Sequence, residues 1–245
     1  MTSPSITSLR LNLARTGELL QAADNIGRSQ DLSDLYFLIG FLVFLVEREY
    51  PALPCRAGCS QCCIDSGLPR VSAPEWALIH AFLTTLAPEL LAQIVARNER
   101  LHRPQLALFL AEQERLAQPE KKLPVPAFSC AECPFLVEGL CQIYPVRPAI
   151  CRAYGYFSWR REPGEDSQIF ACRMAADQLL ESLQAAGSAQ VALPVWNLIQ
   201  AKIYALNDGA LATLPLWLMA HTTPEGLSAY CANPDFLQLA AEKTL

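Results

Sequence analysis

Two runs of cysteine carry the chemistry that this sequence can perform. The first is Cys55-Arg-Ala-Gly-Cys59-Ser-Gln-Cys62-Cys63, and the second is Cys130-Ala-Glu-Cys133 followed by Cys141, Cys151 and Cys172. Two or three residues between thiolates let a tight turn aim several sulfurs at one point, with Gly58 freeing the backbone, and zinc and iron–sulfur sites are built this way. All-sulfur donors exclude magnesium and calcium. The three histidines, His80, His102 and His221, lie outside the clusters. A hydrolytic zinc centre of the His-rich kind is therefore not expected. An iron–sulfur cluster, most readily [4Fe–4S], is the leading expectation, with zinc second and free thiols or disulfides last.

Ten cysteines in 245 residues are too sparse for a disulfide scaffold and too clustered for ordinary core positions. The opening Met1-Thr2-Ser3-Pro4-Ser5 lacks the pattern of a secretory signal, which places the protein in a reducing cytoplasm. A formal net charge of -5 gives no global attraction for nucleic acid or anionic membrane. With 52% hydrophobic residues the chain can bury a core, so disorder is excluded for most of it. The longest apolar run, Leu35 to Val46, falls short of the ~20 residues that span a bilayer and reads as a buried helix.

Helical patterning surrounds these clusters. An amphipathic helix is expected from Thr7 to about Asp24 and a second from about Ser33 to Tyr50, where Pro51 and Pro54 lead into Cys55. Ser72-Ala-Pro-Glu75 has the form of a capping box opening a helix to Leu86. Pro88 starts another, Pro104 breaks it, and the period runs on to Leu116. The Pro-rich stretch 119–126 connects to the second cluster, and helices are expected over Met174 to Ala186, Val195 to Leu206 and Leu211 to Ala220. The expectation is a mainly α protein, one helical domain around a Cys-ligated site in irregular loops. Its parts are an N-terminal helical segment 1–52, a cysteine region 53–172 and a C-terminal helical segment 173–245 packed on the same domain.

The spacing Cys55-x3-Cys59-x2-Cys62 coincides with the triad of radical S-adenosylmethionine enzymes, but here it follows a long apolar helix, no βα repeat comes after it, and Gln61 replaces the usual aromatic. A closer resemblance uses both clusters. Cys55-x3-Cys59-x2-Cys62-Cys63, with Cys133-Pro-Phe-Leu, Gly139-x-Cys141-x-Ile143-Tyr144-x-x-Arg147-Pro148-x-x-Cys151-Arg152-x-Tyr154, resembles the YkgJ-type cysteine cluster family of zinc- or iron-chelating proteins. The similarity runs from roughly Leu53 to Cys172. It implies Cys55, Cys59, Cys62, Cys63, Cys133, Cys141, Cys151 and Cys172 as metal ligands, leaving Cys130 and Cys231 as extras. The family is distantly similar to flagellin lysine N-methylases, which implies S-adenosylmethionine-dependent protein methylation as an alternative function.

Eight thiolates could form two four-cysteine sites or one cluster with reserve thiols. On an extended backbone, adjacent Cys62 and Cys63 would point in different directions. Arg147, Arg152 and Arg56 stand beside ligands, where guanidinium groups could neutralise sulfur and help bind the cofactor. Tyr154, Tyr156, Phe157 and Trp159 with Arg160-Arg161 read first as core covering the site and second as a docking surface. His80 reads as a core histidine and His102 as part of a solvated face. With no nucleotide-binding or serine-nucleophile motif in the chain, catalysis would have to use the cluster or its thiols. The function expected is a cytoplasmic iron–sulfur protein in electron transfer, redox sensing or an accessory role, working with a protein partner and with neither nucleic acid nor a membrane span. A structural zinc domain is the further alternative, and whether the protein is an enzyme stays open.

Overall fold

A computed structural model describes residues 28–160, 168–185 and 193–241. The helix expected over 7–24 and Arg161 lie outside the described residues. The chain forms two compact units, one drawn from Met1–Cys59 and Ala149–Leu206, the other from Ser60–Pro148 and Asn207–Leu245.

In the first unit, helix α1 (Leu32–Glu49) starts at Asp31, whose side chain accepts the Asp34 N–H, and stops at Tyr50 before Pro51. Its Leu35, Ile39, Leu42 and Val46, spaced by three or four residues, form one fully buried stripe. The opposite face departs from the buried-helix reading, because Phe37 is 78% exposed and Phe41 and Phe44 are also open. An uninterrupted apolar run hides which third of the helix meets the core. That stripe packs on Ala149 and Ala153 of the short helix Ala149–Ala153, on Leu179 and on Trp196, Ile199 and Ile203. Strands 157–159 and 168–170 pair antiparallel, with Phe157 opposite Phe170. Tyr156 and Phe157 are core, and Trp159 packs beside them, so the aromatic run covers the interior as the first reading held.

In the second unit, the expected capping box is present, with Ser72 N–H and Oγ both donating to Glu75 Oε2 at 3.0 and 2.9 Å. It opens the helix Ala73–Leu83, which ends three residues before the expected Leu86. Pro88–His102 and Leu106–Ala117 follow, joined by the 3-10 turn Arg103–Gln105 at the Pro104 break. The region expected as one helix from Leu211 begins instead as a strand, Leu211–Thr213, antiparallel to Arg70–Ser72, before the helix Leu214–Ala220. Trp76 and Trp217 stack at 5.7 Å in its centre, and each indole N–H has a partner, His221 Nδ1 at 3.1 Å and Val71 O at 2.9 Å. Buried aromatics of this kind contribute roughly 1.5–3 kcal/mol each from area alone. Both units are dominated by helix with two-stranded pairings between them in sequence, in line with the mainly α expectation.

Candidate metal centre

All ten cysteines are free thiols. Of the eight candidate ligands, Cys55, Cys59, Cys151 and Cys172 fall in the first unit, and Cys62, Cys63, Cys133 and Cys141 in the second.

The second set is built by three local devices. Cys62 and Cys63 lie on the single helical turn Gln61–Asp65, not on extended backbone, and their sulfurs stand 4.0 Å apart. This corrects the expectation that they diverge, because adjacent side chains on helical backbone stand about 100° apart rather than on opposite faces as in a strand. Cys133 N–H donates to Cys63 O at 2.7 Å, joining the two sequence motifs. The hairpin 136–141 then returns the chain through Glu138 and Gly139, both at positive φ (51° and 75°), setting Cys141 opposite Leu136. A two-residue turn with both φ positive matches strand twist, and glycine adopts it without strain.

Electrostatics tie these four thiols together. A hydrogen bond with Cys63, then burial, then the Cys63 charge push the Cys62 thiol far up, while Arg147 pulls it down. Cys63 is pushed up to about 12, first by its hydrogen bond with Cys133 and further by burial and the charges of Cys133 and Cys141, while its hydrogen bond with Cys62 pulls the other way. Burial also raises Cys141, opposed by the Ile143 backbone N–H and by Arg147. Cys62, Cys63 and Cys141 thus resist ionisation, and a cation beside them would favour their thiolate forms. A metal ion is the usual supplier of that charge, and thiolate donors suit zinc and iron, so the donor set fits the chelation that its spacing implies. Among the described residues, no three His, Cys, Asp or Glu side chains stand close enough as placed to hold an ion.

The first set is organised differently. Cys55 Sγ lies against Gly155, where any Cβ would collide with it, and the Gly155 N–H donates to Phe170 O at 2.8 Å. Tyr156 hydroxyl donates to Glu47 Oε1 at 2.9 Å and also meets Cys55 O. Cys59 closes a turn on Arg56 O at 3.0 Å, after Gly58 at φ 91°. Cys151 sits on the helix Ala149–Ala153, and buried Cys172 accepts the Ala176 N–H where the next helix begins.

The arginines separate by surroundings. Arg147 acts on the Cys62 and Cys141 thiols and stacks 4.1 Å from the Tyr144 ring centre. Arg152 stacks over Tyr36 at 4.4 Å, and Arg56 is exposed. Cys231 is exposed and Cys130 half-buried.

His80 is a core histidine as expected, 2.9 Å from Ser228 O. His102 is not on a solvated face: it is fully buried, with Nε2 2.8 Å from Glu132 O, and its flanking arginines on the helix misled the reading. Sequence reasoning also missed Gln105 and Arg97, which bind the same loop. The signal was there: Ile94, Asn98, His102 and Gln105 repeat at helical spacing, so the buried stripe continues in polar residues.

Residues 54–170 match the CxxCxxCC family, described as a "Putative zinc- or iron-chelating domain". No curated protein matches the chain, and no solved structure does.

Proposed function

We propose, from a segment 54–170 that belongs to this cysteine-cluster family, that the protein holds iron in a thiolate-ligated cluster, most readily [4Fe–4S], and serves electron transfer, redox sensing or an accessory step for another enzyme. The observation that carries this reading is the grouping of Cys62, Cys63, Cys133 and Cys141, with the Cys62 and Cys63 sulfurs 4.0 Å apart, Cys133 N–H bonded to Cys63 O and Cys141 returned by its hairpin. These four would hold metal, and Cys55, Cys59, Cys151 and Cys172 are the remaining ligand candidates. Bound there, a cluster supplies a one-electron couple whose potential depends on net charge and on hydrogen bonds to sulfur. Arg147 would offset thiolate charge, and the Ile143 N–H would stabilise the Cys141 sulfur as an anion. A reducing cytoplasm, where thiols stay unoxidised, is the compartment that suits such a site.

Zinc is a second reading, favoured by one distance. The 4.0 Å between the Cys62 and Cys63 sulfurs is near the roughly 3.8 Å that tetrahedral ligation at ~2.3 Å requires of two thiolates on one ion. Metal and acid-labile sulfide analysis with a visible spectrum, on protein purified without oxygen or added metal, tests both. About four irons and four sulfides with broad brown absorbance support the cluster. Colourless protein with zinc and no sulfide supports the second reading, and protein with neither metal defeats both.

A further inference from the structure

Between the two cysteine motifs, the segment Ser129–Glu132 has little regular structure of its own, yet the neighbouring helical segment 97–105 holds it at five points. Gln105 Oε1 accepts the N–H groups of Ser129 at 2.6 Å and Cys130 at 3.3 Å, while its Nε2 donates to Cys130 O at 3.2 Å. A single side-chain amide thus pairs with the loop as a strand would. The buried His102 Nε2 donates to Glu132 O at 2.8 Å, and Arg97 reaches the Glu132 carboxylate at 2.5 Å. Gln105 is itself anchored to Leu101 O at 3.1 Å, and His102 is edge-on to Phe109 at 5.9 Å.

We infer that Arg97, His102 and Gln105 are positioning residues for Cys133, a frame that presets the ligand loop before metal arrives. This rests on the chelation reading above. Cys133 follows directly after the clamped Glu132, and its N–H is already committed to Cys63 O. The peptide before Cys133 is thus held at both its C=O and its N–H, and the Leu136 N–H donates to Cys133 O at 3.2 Å on the other side, so metal binding need not order the loop. Outer partners that orient ligands typically change metal affinity 10–100-fold when removed. A frame that binds backbone is also indifferent to which soft metal is taken up.

The test is zinc affinity of the metal-free, reduced full-length chain, measured against a competing chromophoric chelator. Gln105→Ala is expected to weaken zinc binding about 10-fold or more. Gln105→Glu, which keeps the acceptor and loses the donor, is expected to fall between. Arg97→Ala, at a partly exposed site, is a milder probe should Gln105→Ala fold poorly. In a Cys133→Ser background the loss from each frame variant should disappear, a coupling that general destabilisation would not produce. Wild-type zinc binding with unchanged affinity in Gln105→Ala and Arg97→Ala, or losses that persist without Cys133, overturns this inference alone. Wild-type protein that takes up neither zinc nor iron overturns the chelation reading and this inference with it.

Discussion

Cys133 N–H donates to Cys63 O at 2.7 Å, so the two cysteine motifs of the second unit are joined by backbone before any metal is considered. The side chains meet as well: the Cys63 thiol is pushed up to about 12, first through a side-chain hydrogen bond with Cys133.

Ligands and bystanders should separate cleanly. Cys63→Ser and Cys141→Ser are expected to lower metal per chain, measured by elemental analysis of anaerobically purified protein, and to lower thermal stability with it. Cys231→Ser, at an exposed position, should change neither. Equal metal in all three variants would remove the second-unit set from consideration.

Arg147 lowers the cost of ionising Cys62 and Cys141. Arg147→Gln should therefore move alkylation of both thiols to higher pH in metal-free protein, read by mass spectrometry of iodoacetamide adducts. Labelling of Cys231 serves as the internal control. An unmoved profile would place Arg147 outside the thiols' electrostatic reach.

Acid should weaken the second unit in a defined window. Burial lowers His102 from 6.5 to about 4, with Arg97 acting the same way and Glu132 opposing it. The folded state then binds fewer protons than the unfolded between these values, so its contribution is fully present above pH 6.5 and is lost as pH falls toward 4. His221, depressed by burial and by His80, adds in the same direction. Denaturant midpoints measured across this range should slope less in His102→Gln, which keeps an N–H donor without the titration.

The two faces of α1 should differ sharply. Ile39→Ala, fully buried, is expected to cost about 2–5 kcal/mol in urea unfolding. Phe37→Ala, 78% exposed, should stay within about 0.5 kcal/mol. A large loss at Phe37 would mean that this face is covered in solution.

Much of the helical framework was legible because its punctuation is local. Pro88, Pro104 and the Ser72–Glu75 pair mark helix ends through backbone chemistry that needs no tertiary information. The candidate cysteines were equally legible from spacing. What the sequence concealed was partnership across distance. Leu211–Thr213 reads as helix until its pairing with Arg70–Ser72 is known, since three apolar-leaning residues carry no period. His102 looks solvated between Arg100 and Arg103, yet its own side chain points to the buried stripe of Ile94 and Asn98. The apolar run of α1 misleads oppositely, since hydrophobicity all round hides that only one face is buried.

The pairing of residues 70–72 with 211–213 also has a consequence in time. A ribosome adding roughly 5–20 residues per second finishes the earlier strand on the order of ten seconds before its partner emerges. From the point in that interval at which Cys141 is added, Cys62, Cys63, Cys133 and Cys141 have all been synthesised while the unit that holds them is incomplete. The nascent chain thus passes through a stage in which these sulfurs are open to oxidants and to any metal present, before the later strand completes the unit around them.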